Sequence, residues 1–157
     1  MNESPAEWSS EDDRFMALAI EQAVRAQAHD DVPIGAVVVQ GGRVIAVGRN
    51  EREHLQDPTA HAEVLALRRA AEAVGSWRVL DATLYVTLEP CSMCAGAIVL
   101  SRIPRVVFGA HDPKAGACGS VLDITGESRF NHRPEVRGGL MGDACGDLLR
   151  AFFAARR

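Results

Sequence analysis

His61-Ala62-Glu63 and Pro90-Cys91-Ser92-Met93-Cys94 hold, between them, one imidazole, two thiols and a carboxylate. An imidazole and two thiolates suit zinc and fall one short of a closed tetrahedron. Structural zinc usually takes four protein ligands, whereas catalytic zinc leaves a corner for water. Zinc lowers the pKa of that water to roughly 7, which supplies hydroxide at neutral pH. Glu63, left out of the ligand set, is placed to accept the water's proton and pass it to the substrate. The combination reads as metal-assisted hydrolysis: attack at a carbon bearing an amino group, then loss of ammonia once Glu63 protonates the amine. C-x-x-C by itself is shared with redox and structural-zinc motifs. A folding zinc therefore remains the competing reading, its fourth ligand drawn from Cys118, Cys145 or His111. Both motifs in this order, with Pro90 before the first cysteine and His61 30 residues upstream of it, favour catalysis.

The chain alternates between helical and strand periodicity, as an α/β domain does. Phe15, Leu18, Ala19, Gln22 and Ala23 recur at helical spacing after an acidic cap at Asp12-Asp13, predicting a helix to about His29. Ile34 to Val39 and Arg43 to Val47 read as a hairpin turned by Gly41-Gly42. Asp57 as N-cap and Pro58 at the first turn predict a helix that runs to Val74 and stops at Gly75. Thr83 to Leu88 is a buried strand by composition, Ser92 to Leu100 a short helix, and Arg105 to Gly109 a further strand. Residues 110–135 read as loop, followed by a weak strand near Val136 and a last amphipathic helix over Gly142 to Ala155. On these elements His61 and Glu63 fall in the first turn of one helix, Cys91 and Cys94 in the first turn of another. Helix N-termini favour thiolates. Cys91 and Cys94 share a face, but residues two apart do not, so both His61 and Glu63 must enter the cleft from a helix mouth.

A chain of 157 residues, 47% apolar, predicts one domain with a single core, preceded over residues 1–11 by a flexible acidic arm. No apolar run reaches the ~18 residues of a membrane span. Met1 to Asp13 lacks a basic-then-apolar secretory pattern, and four cysteines with metal spacing fit a cytoplasmic protein with reduced thiols. The net charge of −4 is unevenly spread. Residues 1–31 carry two arginines against eight acidic side chains, and residues 91–157 carry nine basic against six acidic ones. The C-terminal half thus offers a basic face through Arg129, Arg133, Arg137, Arg150, Arg156 and Arg157, or simply a set of solvated arginines.

H-x-E followed by P-C-x-x-C is the signature of zinc-dependent nucleobase deaminases. The likeness extends further. Asp57-Pro58-Thr59-Ala60-His61-Ala62-Glu63, then residues 81–97 around Thr87-Leu88-Glu89-Pro90-Cys91, then Ser101-Arg102-Ile103 and Arg105 to Ala110, resemble the bacterial tRNA-specific adenosine deaminases. The resemblance runs from about residue 12 to the C-terminus. It implies a three-layer α/β/α cytidine deaminase-like fold around a five-stranded mixed sheet, with one zinc ion per subunit. It further implies a homodimer that converts the wobble adenosine of an arginine tRNA anticodon to inosine, with the anticodon stem-loop as partner.

By the same resemblance, Asn50 contacts the flipped nucleotide and the backbone of Ala62 recognises the base. Asp112 and Lys114 touch the anticodon backbone, and Phe152, Phe153 and Arg156 pack near neighbouring bases. Each residue has a plainer alternative: Asn50 in a strand-end turn, Asp112-Pro113 as a turn start, and one of the adjacent Phe152 and Phe153 in the core. His111, Pro113 and Cys118 depart from the family pattern, all in the loop half and none in the zinc motifs. Deamination of a free base or nucleoside, such as guanine or cytosine, remains the alternative activity. A zinc-stabilised RNA-binding module without catalysis is the third.

Overall fold

The computed structural model describes residues 7–156. Residues 1–6 of the expected acidic arm lie outside the described residues, but Ser10 and Glu11 already belong to a helix. That helix, α1 (Ser10–Ala26), begins earlier than its sequence predicts. Ser9, not Asp12-Asp13, is the N-cap: its hydroxyl accepts from the Asp12 amide while the Asp12 carboxylate accepts from the Ser9 amide. This reciprocal capping box frees α1 to start where its acidic residues meet the positive end of the helix dipole. Asp12 also faces inward, accepting from Tyr85 Oη at 2.7 Å and from Arg105 at 3.0 Å, so one buried carboxylate fastens α1 across two strands.

After a 3₁₀ turn at Gln27–His29 come β1 (Gly35–Gln40) and β2 (Arg43–Arg49), paired antiparallel. Gly41 and Gly42 turn the hairpin with positive φ at both positions, which glycine adopts without strain. Then follow a single turn α2 (Arg52–Leu55), α3 (Ala62–Val74), β3 (Ala82–Leu88), α4 (Ser92–Ser101), β4 (Arg105–Ala110), β5 (Glu135–Gly138) and α5 (Gly142–Ala154). The sheet order is β2-β1-β3-β4-β5, with β1 antiparallel to both neighbours and β3, β4 and β5 parallel. It is a mixed five-stranded sheet between helical layers.

Strand alternation assigns the layers. Ala36, Val38, Leu84, Val86, Val106 and Phe108 point to one face, where Ala62, Ala66 and Ala70 of α3 and Ile98 of α4 cover them. Val37, Val39, Tyr85 and Val107 point to the other, under Phe15, Met16 and Ala19 of α1 and Cys145 of α5. Both faces being buried explains why these strands are almost continuously apolar.

One sequence expectation needs correction. Asp57-Pro58 does not open a helix. The Asp57 carboxylate accepts from both the amide and the hydroxyl of Thr59 at 2.8 Å, an Asx turn that holds the backbone out of the helical region. Helix α3 starts only at Ala62. Of the C-terminal arginines, Arg129 pairs with Glu127, Arg150 with Asp147 and Arg156 with Asp30 at the surface, while Arg137 lies over Trp8. Arg157 lies outside the described residues.

Candidate active site

His61 is the N-cap of α3, with extended backbone at φ −77°, ψ 151°. Helical spacing therefore does not apply between it and Glu63, and the side chains of both can enter the same cleft. Cys91 holds the equivalent position at α4, again extended, and Cys94 lies in the first turn. Neither cap uses its side chain to satisfy its own helix, although capping is the commonest role at that position. The orphan amide of Ala62 is taken instead by Asn50, whose Oδ1 accepts it at 3.0 Å. Asn50 is thus a buried structural partner of the α3 mouth, and the Ala62 N–H is already directed at it. Gly48 permits the approach of β2, since a Cβ there would overlap the carbonyl oxygen of Ala62.

The imidazole of His61 turns its Nδ1 toward both sulfurs, 3.6 Å from Cys91 Sγ and 3.5 Å from Cys94 Sγ. The nitrogen and the two sulfurs lie within 4.8 Å of one another, a group able to hold a metal ion. Among the described residues no fourth His, Cys, Asp or Glu joins it; Cys118, Cys145 and His111 stand apart. Electrostatics favour the thiolate. The Cys94 thiol, and then the His61 ring, hold Cys91 down to about 3 against its burial, whereas Cys94, which donates to that thiolate, is pushed upward. The Cys91 anion in turn raises the pKa of His61. Two thiols sharing one proton beside an imidazole form a group able to hold a cation.

Glu63 is buried and outside the group of ligand atoms. Burial pushes its carboxyl up to about 7, with a backbone hydrogen bond and the His61 charge pulling the other way. A group that takes a proton and gives it back works best with a pKa near the operating pH.

At the carboxyl ends of β3 and β4 runs a groove of about 990 Å³ between the 110–114 segment and α5. His61, Cys91, Cys94 and Glu63 are not among its lining residues. Leu88, Ala110, Asp112, Lys114, Arg150 and Phe153 are among its walls. Three residues assigned to substrate by resemblance, Asp112, Lys114 and Phe153, therefore converge on one surface. Phe153 is exposed while Phe152 is buried, as adjacent helical residues must divide. Arg156 instead stacks 3.5 Å above the Phe152 ring and reaches Asp30 at 3.0 Å. The Asp112 carboxylate accepts from the Lys114 and Ala115 amides, so this residue also starts the turn.

Glu89 and Asp31 escaped the reading of the sequence as site-shaping residues. Asp31 accepts from the amides of Glu53 and His54 and so anchors α2. Glu89 is a buried acid directly after an apolar strand, and that misplaced charge was the signal for it.

The sequence model of the MafB19-like deaminases matches residues 10–157. A tRNA-specific adenosine deaminase of Bacillus subtilis (strain 168) is 50% identical over 148 residues, spanning 94% of this chain and 92% of its own. The chain belongs to the MafB19-like deaminase family. A structure from work on A-to-I editing by tRNA:A34 deaminases at the wobble position superposes on this deaminase with a TM-score of 0.84. That structure is 47% identical and is covered over 99% of its length, against 87% of this chain. A guanine deaminase from Nitrosomonas europaea superposes with a TM-score of 0.77 at 29% identity, over 98% of this chain and 89% of its own. No helix among the described residues is long and apolar enough to cross a membrane.

Proposed function

We propose that this deaminase hydrolyses adenosine to inosine at the wobble position of an arginine tRNA anticodon, as a cytoplasmic homodimer carrying one Zn²⁺ per subunit. The observation that carries the reading is the His61–Cys91–Cys94 cluster beside an unliganded, buried Glu63, in a chain half identical to a tRNA-specific adenosine deaminase. The donor set fits zinc. Bond lengths of about 2.3 Å to sulfur and about 2.05 Å to nitrogen, opened to a tetrahedral angle, give an N···S edge of roughly 3.6 Å. The observed separations are 3.5 and 3.6 Å.

When bound, the zinc supplies the Lewis acidity that makes water nucleophilic at neutral pH. The protein's own groups do the rest. Glu63 takes a proton from the attacking water and delivers it to a ring nitrogen of the adenine. It then takes the proton of the hydroxyl newly formed on the amino-bearing carbon and passes it to the amine, so that ammonia leaves and the carbonyl of inosine remains. Asn50 holds the Ala62 amide and so fixes the α3 mouth at which the base is met. Asp112 and Lys114 meet the RNA backbone along the groove, and Phe153 offers a face for a neighbouring base to stack upon. Phe152 and Arg156 act one step back, as the packed pair that supports that end of α5.

The test sets inosine formation on an anticodon stem-loop beside ammonia release from free guanine, cytosine and adenosine. Inosine on the stem-loop and silence on the small substrates is the expected result. Turnover of free guanine alone would transfer the assignment to the free-base class that the Nitrosomonas europaea neighbour represents. A monomer in sedimentation at micromolar concentration would remove the dimer.

A further inference from the structure

Glu89 follows β3 directly and lies two residues before Cys91, with its side chain wholly shielded from solvent. Its Oε1 accepts from the Asp112 amide at 3.1 Å, and its Oε2 accepts from the amides of Cys118 and Ser120, each at 3.1 Å. The Ser120 hydroxyl donates to Oε1 as well, and the His111 ring approaches that oxygen to 3.7 Å. Every one of these partners belongs to residues 111–120, a stretch with no helix or strand of its own. Gly116 closes the wrap, since a Cβ there would collide with the carboxylate. The proposed chemistry gives Glu89 no task.

A carboxylate is the group this place demands. Its partners are donors throughout, and an ionised carboxylate is acceptor-only, with lone pairs for about four of them. An amide of the same shape would turn its own NH₂ against at least one backbone N–H. A charge so deeply buried is tolerable only when it is fully hydrogen-bonded, and here the whole set of bonds is spent on one irregular segment. That segment carries Asp112 and Lys114.

We propose that Glu89 is a positioning residue for the RNA: it fastens the 111–120 loop to the turn that carries Cys91, so that the substrate loop and the metal ligands keep one relative position. The role for RNA rests on the anticodon reading above; the tether itself does not. Loss of the tether leaves the ligands and Glu63 in place but lets the loop sample conformations that cannot meet the anticodon, so the cost falls on KM.

Glu89→Gln and Ser120→Ala, each in the full-length protein, test it. For Glu89→Gln, KM on the anticodon stem-loop is expected to rise about ten-fold, the scale of a lost hydrogen bond to a charged group. In the same variant kcat stays within about three-fold and zinc content is unchanged. Amide exchange at Asp112, Cys118 and Ser120 accelerates, while that of Ala95 in α4 does not. Ser120→Ala moves KM and exchange the same way by less, and decides alone if Glu89→Gln fails to fold. A kcat loss with unchanged KM, a loss of zinc, or unaltered exchange in the loop overturns the proposal. If the wild-type enzyme makes no inosine on the stem-loop, the anticodon reading falls, and the exchange data still decide whether Glu89 tethers the loop.

Discussion

Two regions are built differently: the His61–Cys91–Cys94 cluster takes its donors from two helix mouths, and the groove at the carboxyl ends of β3 and β4 takes its walls from the 110–114 segment and α5. In the first, a few contiguous residues carry both the chemistry and the local geometry. Cys91 and Cys94 are set by one cap and one helical turn; His61 and Glu63 are set by another. In the second, nothing local suffices. The 111–120 loop is held by a carboxylate at position 89, and Arg150 and Arg156 reach Asp147 and Asp30 across the surface. Catalytic machinery can be compressed into short motifs because each atom must meet one ion. A surface for a large partner is spread across the fold because it must match an extended shape.

If the regions are separable, their variants should fail differently. Glu63→Gln is the largest: turnover falls by about a thousand-fold, on the scale of a lost general acid and base. Zinc content and stem-loop affinity are retained in that variant, as metal analysis and a binding titration would show. An equal loss of binding would mean that Glu63 also holds the RNA, and the comparison would break. Leu84→Ala, in the core that both regions share, is expected to lower unfolding free energy by about 2–5 kcal/mol in denaturant titration. Its kcat and KM in the folded population stay near wild type, because no site group moves.

Asp12 sharpens the comparison from the far end of the sheet. Burial resists its ionisation, but hydrogen bonds from Arg105 and Tyr85 prevail and hold the carboxyl down to about 2. In the unfolded chain it returns to about 3.9. The stabilisation is therefore present above about pH 4 and lost as the pH falls toward 2. Asp12→Asn should remove about 1–2 kcal/mol at neutral pH, flatten that acid limb, and leave the catalytic constants alone. Lys114→Ala is the smallest effect: a rise of about three-fold in KM, unchanged kcat, and a salt dependence shallower by about 0.7 in log–log slope, as for one lost phosphate contact on a single strand. A change in kcat there would place Lys114 with the chemistry.

The elements show where reading the chain succeeds. Strands β1, β3 and β4 were legible because β-branched and apolar runs bounded by turn residues leave few alternatives, and Gly75 stops α3 in the left-handed conformation it favours. The start of α3 was not. Asp57-Pro58 carries a good helix-opening signal, but Thr59 gives the Asp57 carboxylate a closer partner, and the helix waits for Ala62. The same displacement is what makes the site work, since only as a cap can His61 share a cleft with Glu63. The start of α1 at Ser9 was missed for a milder reason, two competing cap residues three apart.

Residue type and spacing alone pointed to the chemistry of this protein: a histidine, two cysteines and a carboxylate in the order of the deaminase signature, beside strands whose burial on both faces is written in their continuous apolar runs. Only the tertiary structure decided how the substrate side is held. Ion pairs such as Arg156 with Asp30, and the four donors gathered by Glu89, join positions that are far apart in the chain. Such pairings depend on where the folded backbone passes, and no local pattern of residues encodes that.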